Sequence, residues 1–234
     1  CVFAVLAGCA GNVAIDTDAV YGVASIQTDN YANETLEYYY YIPSSVIYDA
    51  AVSYPLLIAV PGLSGHGENF VSQSMRDFAA ENGFAVVAPS FQFDERNWDS
   101  QQSYQYPWVW SGDALIDIVE QVELDNGITF SDWYLFGFSA GAQFSLRFCV
   151  WQPDLCAACA AHGSGGTVIP EEYVDVAFFV TVGNQDTSRI PKAQAFYNAA
   201  RYLGIDVIYE EYGVGHQLSY GQIDDSLEFF SGVD

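Results

Sequence analysis

The sequence predicts an α/β fold, in which a mostly parallel sheet has helices on both faces. Two observations support this prediction. Short apolar runs alternate with longer amphipathic runs along the whole chain of 234 residues, and such alternation is typical of repeated βα units. Hydrophobic residues make up 51% of the chain, which is enough for one domain with a full core. No interior apolar run approaches the roughly 20 residues that a membrane-spanning helix needs.

The predicted strands are short runs rich in apolar, β-branched and aromatic residues. The first is a ladder of tyrosines from Glu34 to Ile42, and a further strand is expected within residues 10–33. The others are predicted over Pro55–Val60, Phe84–Ala88, Trp133–Phe136, Ala157–Ala161, Val176–Val182 and Asp206–Tyr212. The link between the strands near Ala161 and Val176 is short, so we expect no inserted cap domain there.

The predicted helices carry apolar residues at helical spacing. Between Trp108 and Leu124, for example, Leu115, Ile118, Val119 and Val122 fall at the i, i+3, i+4 and i+7 positions of one buried face. The remaining helices are predicted over Phe70–Asn82, Ala142–Val150, Pro191–Leu203 and Gln217–Phe230. The chain has no internal repeats and no low-complexity stretches.

The charge of the chain is strongly negative. Thirty acidic residues stand against six lysines and arginines, which gives a formal net charge of −24. The acidic residues are scattered rather than gathered in one tail. Nucleic acid is therefore excluded as an expected partner, because binding it requires a basic face.

Three cysteines, Cys149, Cys156 and Cys159, lie close together in the sequence. The Cys-x-x-Cys spacing occurs in metal-binding and redox sites, but no second Cys or His pair follows at the sequence separation that zinc fingers use. We therefore expect buried thiols and no metal. A disulfide between Cys149 and Cys156 is the alternative, since an exported protein can keep one.

The N-terminal segment is apolar and ends in Leu6-Ala7-Gly8-Cys9. This quartet resembles a lipobox, the site at which lipoprotein export signals are cleaved. The resemblance implies a signal segment over residues 1–9, a lipid on Cys9 that attaches the protein to a membrane, and a tether from residue 10. A hydrophobic leader of another kind is the alternative. Both interpretations predict an exported protein.

The pentapeptide Gly137-Phe138-Ser139-Ala140-Gly141 follows a predicted strand and precedes a predicted helix. A sharp strand-to-helix turn of this kind exposes a serine hydroxyl above a sheet, and it needs glycine two residues on either side of the serine. Ser139 is therefore a candidate nucleophile.

Two further residues suit a catalytic triad with Ser139. Asp186 follows the strand Val176–Val182, and His216 follows the strand that ends near Tyr212. Their order along the chain, Ser then Asp then His, is the order that this strand-turn-helix arrangement uses. Asp206 is a weaker candidate for the acid, because it lies at the start of its strand and hence at the opposite edge of the sheet.

Two backbone amides are candidates for stabilising a developing oxyanion. Ala140 directly follows the candidate nucleophile. Leu63 lies in the glycine-rich loop Pro61–Gly67, which follows the strand Pro55–Val60. A plain tight turn is the alternative interpretation of that loop.

A long aromatic loop, Phe91–Pro107, suggests a substrate surface, because loops at strand ends often carry function in α/β folds. Trp98 and Tyr104 lie in this loop and Trp108 just beyond it. His162 ends the strand before the acid and is predicted to be structural or substrate-lining. For the aromatic side chains, packing within the loop is the alternative.

With these residues in place, the chain resembles the α/β-hydrolase superfamily from Glu34 to its end. Within that superfamily, Tyr38–Pro43, Ile58–Gly62 and Gly137–Gly141 are similar to poly(3-hydroxybutyrate) depolymerase-like and feruloyl esterase-like serine hydrolases, with dienelactone hydrolases as relatives. The resemblance implies a hydrolase domain over residues 34–234, two-step hydrolysis of small or polymeric esters, and no cofactor. We also expect a monomer. A serine peptidase on the same fold and a catalytically silent surface binding protein are the alternatives.

Overall fold

The computed structural model describes residues 16–28, 35–47, 52–63, 65–92 and 103–233. It contains an eight-stranded sheet with the strand order β1-β2-β4-β3-β5-β6-β7-β8. The strands are β1 Val20–Gln27, β2 Thr35–Ile42, β3 Ser53–Val60, β4 Ala85–Ser90, β5 Thr129–Phe138, β6 Cys156–His162, β7 Ala177–Gly183 and β8 Val207–Tyr212. The helices are α1 Ser44–Ile47, α2 Gly67–Phe70, α3 Gln73–Asn82, α4 Ser111–Asn126, α5 Ala140–Trp151, α6 Ile190–Leu203 and α7 Tyr220–Ser231.

The sheet is mostly parallel, which confirms the predicted fold class. The strands β3 to β8 pair in parallel, while β2 pairs antiparallel with both β1 and β4. The strand expected within residues 10–33 is β1, and because it pairs with β2 along its whole length, the sheet extends N-terminally of residue 34.

The core lies on both faces of the sheet. On one face, side chains of α4, α5 and α6 such as Leu115, Phe144 and Phe196 pack against the strands. On the other face, α3 and α7 contribute Phe78 and Phe230. The central strands are buried on both faces, which explains why their sequences are continuously apolar and do not alternate between apolar and polar residues. Each large side chain removed from water in this way contributes about 1.5–3 kcal/mol.

The helix predicted over Phe70–Asn82 is in fact two helices. The short α2 ends at Phe70, and α3 begins at Gln73 after Ser72, whose side chain accepts a hydrogen bond from the Met75 amide at 3.2 Å. A serine in this capping position starts a new helix because it satisfies an amide that has no helical partner. Likewise, the helix expected from Trp108 begins only at Ser111.

The carboxyl ends of the parallel strands meet at one edge of the sheet. The turns after β3, β5, β7 and β8 all lie there, and these are the turns that carry the predicted oxyanion loop, nucleophile, acid and histidine. The link from β6 to β7, residues 163–176, contains no helix, so no cap domain is inserted there. Across the described ranges, no helix is both long enough and apolar enough to span a membrane.

Candidate active site

Ser139 sits in the sharp turn between β5 and α5. Its φ is 56° and its ψ is −113°, and among the residues that the structure describes it is the one non-glycine residue with a positive φ. A Cβ at Gly137 would lie 2.6 Å from the Gly141 carbonyl oxygen and 2.6 Å from Ser145 Oγ, and a Cβ at Gly141 would overlap the Val60 carbonyl. The two glycines are therefore required by the close approach of α5 to the sheet.

A chain of hydrogen bonds joins the three predicted triad residues. His216 Nε2 lies 2.9 Å from Ser139 Oγ, and His216 Nδ1 lies 2.7 Å from Asp186 Oδ2. The imidazole ring is stacked on Phe138, with the ring centroids 5.0 Å apart. The structure thus brings together the serine, the histidine and the carboxylate in the order that nucleophilic catalysis requires.

The turns that carry the acid and the histidine are tied to each other. Asp186 closes a turn by donating its amide to the Gly183 carbonyl at 2.9 Å, and the Gln185 amide donates to the Val214 carbonyl at 3.0 Å. A Cβ at Gly183 would overlap the carbonyls of Val214 and Gly215. Glycine at the end of β7 therefore lets the segment that precedes His216 lie directly against the acid turn.

Arg189 is a site residue that the sequence interpretation missed. Its Nη1 lies 3.2 Å from Asp186 Oδ1, and Ser188 Oγ lies 3.3 Å from the same oxygen. Each carboxylate oxygen thus has its own partner, which fixes the orientation in which Oδ2 faces His216. The available signal was the i, i+3 spacing of an acid and a base at the start of a helix.

The Ala140 amide directly adjoins the nucleophile, and the loop that carries Leu63 passes close to it. Ala140 is the first residue of α5, so its amide has no partner within the helix. The loop that carries Leu63 approaches from β3, and a Cβ at Gly62 would lie 3.4 Å from Ser139 Cβ. Two backbone amides that converge beside a serine can stabilise a tetrahedral oxyanion, so Leu63 stays the predicted second donor.

Tyr104 is a packing residue and does not line the site, which corrects the prediction made for it from the aromatic loop. Tyr104 is only 1% exposed and is stacked on Phe91 with centroids 5.0 Å apart, and this burial raises the pKa of its hydroxyl. Trp108 is half-exposed and lies near Arg147, whose guanidinium carbon is 5.9 Å from its ring. The place of Trp108 at the substrate surface stays a prediction. Trp98 lies outside the described residues, as does Cys9.

His162 is a structural side chain and not a substrate-lining one. It is 0% exposed, its Nδ1 lies 2.7 Å from Thr181 Oγ1, and its Nε2 lies 3.1 Å from Ser226 Oγ. Burial lowers the pKa of this imidazole from 6.5 to about 3. His66 lies near Glu37 with a side chain that is 66% exposed.

The described residues contain no group of three or more His, Cys, Asp or Glu side chains that could hold a metal. Cys149, Cys156 and Cys159 are buried thiols, and burial raises the pKa of Cys149.

A groove of about 1060 Å³ at the opposite edge of the sheet is lined by carboxylates, including Asp206. Ser139 is not part of that groove.

The strand order, the turn at Ser139 and the positions of the acid and the histidine together define the α/β-hydrolase fold. Solved structures of that class are similar to the chain over nearly its whole length. A ferulic acid esterase matches with a TM-score of 0.69 at 15% identity, covering 90% of this chain and 97% of its own. An S-formylglutathione hydrolase from Agrobacterium tumefaciens matches with a TM-score of 0.69 at 16% identity, covering 91% and 94%.

A poly(3-hydroxybutyrate) depolymerase from Bordetella parapertussis is similar as well, with a TM-score of 0.65 at 19% identity and coverage of 92% of this chain and 91% of its own. No protein-family model and no curated protein sequence matches the chain. At such low identity the likeness is one of fold. It confirms the resemblance to the α/β-hydrolase fold that the sequence motifs indicate.

Proposed function

We propose that the chain is a serine hydrolase that cleaves carboxylic esters through an acyl-enzyme intermediate. The observation that supports this most directly is the position of His216, which lies within hydrogen-bonding distance of both Ser139 Oγ and Asp186 Oδ2. Because a carboxylate can only accept, the hydrogen-bond pattern assigns the proton to Nδ1 and leaves Nε2 free to accept the serine proton.

In the first step, Ser139 Oγ forms a bond to the ester carbonyl carbon while His216 Nε2 takes its proton. The electron pair of the carbonyl moves onto oxygen, where the amides of Ala140 and Leu63 stabilise the negative charge. The carbon–oxygen bond to the leaving alcohol then breaks, and His216 returns the proton to that alcohol. A water molecule repeats the sequence on the acyl-serine and releases the acid, while Asp186 stabilises the imidazolium in both halves.

The names of the similar structures indicate which esters to test. They include a ferulic acid esterase, an S-formylglutathione hydrolase and a poly(3-hydroxybutyrate) depolymerase. We therefore infer a small-molecule or polymeric ester substrate, including aromatic esters. A serine peptidase remains the second candidate, and a silent binding protein is disfavoured because the hydrogen bonds from Ser139 to His216 and on to Asp186 are intact.

Two measurements test the proposal. They are labelling of the protein with a fluorophosphonate and turnover of p-nitrophenyl, feruloyl and polyester substrates. Ser139→Ala should abolish labelling and lower turnover by several orders of magnitude, as triad deletions do. Ser53→Ala is the matched control, because Ser53 lies at the start of β3 at the other edge of the sheet. Turnover by Ser139→Ala within about tenfold of the wild type would reject the assignment. Faster cleavage of peptides than of esters would favour the peptidase.

We also propose that the protein is exported as a monomer and is anchored to a membrane through a lipid on Cys9. The lipobox-like quartet Leu6-Ala7-Gly8-Cys9 supports this proposal. Mass spectrometry of the protein, expressed with its complete leader, should find a mature N-terminus at a lipidated Cys9, and Cys9→Ser should release the protein from membranes. A mature N-terminus at another residue would contradict the lipoprotein proposal. A dimer mass in solution would contradict the monomer.

A further inference from the structure

A network of buried polar side chains lies directly beneath the candidate triad. Its members are His162, Thr181, Gln222 and Ser226, which are all between 0% and 1% exposed. They belong to β6, β7 and α7, so the network crosses from the sheet to the last helix. Buried polar groups are costly unless every one of them is paired, and a fully paired network holds its elements in a single arrangement.

The hydrogen bonds of this network run in one direction. Ser226 Oγ donates its only proton to the Gln222 carbonyl at 2.6 Å, so it accepts from His162 Nε2 at 3.1 Å. His162 Nδ1 then carries a lone pair and accepts from the Thr181 hydroxyl at 2.7 Å. The Thr181 oxygen in turn accepts from Gln222 Nε2 at 2.7 Å. Protonation of His162 would turn Nδ1 into a donor and deprive the Thr181 hydroxyl proton of its acceptor. Burial in this network lowers the pKa of the imidazole to about 3.

The network connects the two reacting residues. At one end, the His162 carbonyl accepts the Ser139 amide at 2.9 Å. At the other end, Gln222 Oε1 accepts the Ser219 amide at 3.0 Å, and Ser219 Oγ accepts the Gln222 amide at 3.3 Å. These two bonds form the capping box that starts α7. Ser219 lies only three residues after His216, so the start of α7 helps to fix the segment that carries the catalytic base.

We propose that His162 is a positioning residue, which sets the distance between His216 and Ser139 through Thr181, Gln222 and the Ser219 cap. The proposal rests on the proposed function. Its chemical basis is that a displacement of about 1 Å in the reacting groups can cost about 10²-fold in rate, whereas the fold tolerates such a shift. His162 itself touches neither the substrate nor the reacting atoms.

The network has two arms that can be broken separately. The arm through Thr181 leads to the Gln222 side chain and hence to the Ser219 cap. The arm through Ser226 leads to a backbone carbonyl of α7 that already belongs to the helix. Thr181→Val removes the first arm with little change of shape, and Ser226→Ala removes the second. Both variants lose a buried hydrogen bond to His162, and Thr181→Val also loses the bond from Gln222. If the role of the network is purely structural, turnover should follow the loss of thermal stability in both variants.

The experiment compares these variants with Thr181→Ser, which keeps the hydroxyl. We expect Thr181→Val to lower kcat on a p-nitrophenyl ester by about 10- to 100-fold with KM unchanged. Thr181→Ser and Ser226→Ala should stay within about threefold of the wild type. Proton NMR of the full chain adds a structural measurement. The downfield proton on His216 Nδ1, identified by its absence in His216→Gln, should shift or broaden in Thr181→Val alone.

Equal losses of kcat in Thr181→Val and Ser226→Ala would overturn the positioning role, as would an unchanged His216 resonance in Thr181→Val. Thermal melting of each variant shows whether it is folded at the assay temperature. If Thr181→Val is unfolded at the assay temperature, Thr181→Ala replaces it in the kinetic comparison. The NMR spectrum of Thr181→Val is then recorded at a lower temperature, and the same outcomes support or overturn the positioning role. A wild type that turns over no ester would reject the proposed function. The NMR comparison would still decide on the positioning of His216.

Discussion

Replacing His162 with Gln should make the stability of the protein less dependent on pH. Burial lowers the pKa of His162 from 6.5 to about 3. Between these two values the unfolded chain carries a proton on this residue and the folded chain does not. Proton uptake therefore favours the unfolded state, and the contribution of His162 to stability is lost as the pH falls below 6.5.

The size of the effect follows from the environment of the ring. The partners of His162 are the hydroxyls of Thr181 and Ser226, which carry no charge and cannot compensate for an imidazolium. A difference of one bound proton changes the free energy of unfolding by about 1.4 kcal/mol per pH unit. Between pH 6.5 and pH 5 the wild type should therefore lose about 2 kcal/mol through His162.

Urea unfolding at pH 7, 6 and 5 measures this difference. His162→Gln should be less stable than the wild type at pH 7, because it loses a buried hydrogen bond, but its stability should fall less steeply towards pH 5. His66→Gln is the control, since the His66 side chain is 66% exposed and meets similar solvent in both states. A slope for His162→Gln that parallels the wild type would show that His162 titrates alike in the folded and unfolded chains, and would refute the reasoning.

Two further pairs of variants test the site and its scaffold. Asp186→Asn should lower kcat on an ester by about 10⁴, because it favours the wrong histidine tautomer. Asp206→Asn, next to the start of β8, should change kcat little. A larger loss in Asp206→Asn than in Asp186→Asn would contradict the assignment of Asp186 as the acid of the triad. Gly137→Ala should destabilise the fold by about 1–3 kcal/mol or more in urea, because its Cβ would lie 2.6 Å from Ser145 Oγ. Gly213→Ala is the control, because a Cβ at that position would have no other atom within 4 Å, and its free energy of unfolding should equal that of the wild type.

The residues that meet in the site could be predicted because each follows a local signal. Ser139 lies between two glycines, and Asp186 and His216 each follow a buried strand. Parallel strands bring their carboxyl ends to one edge whatever their order in the sheet. The strand order itself, with β4 between β2 and β3, was not predicted, since no local pattern records which strands are neighbours.

Burial of single side chains could not be predicted, because it depends on distant segments. Tyr104 is covered by Phe91, which precedes it by thirteen residues, and His162 is covered by α7, which begins almost sixty residues later. An aromatic side chain in a loop and an imidazole at a strand end look the same in sequence whether a helix packs over them or not. The ion pair of Arg189 with Asp186 also depends on side-chain orientation, which spacing alone leaves open.

The backbone at Ser139 carries a consequence for anyone who selects variants of this chain by stability. A non-glycine residue at a φ of 56° pays about 1–3 kcal/mol of strain that glycine would avoid. Ser139→Gly should therefore be among the easiest stabilising substitutions to find, and it would remove the proposed nucleophile. A screen that scores heat resistance or yield alone would enrich variants without the proposed activity, so selection on this scaffold must measure turnover in the same assay.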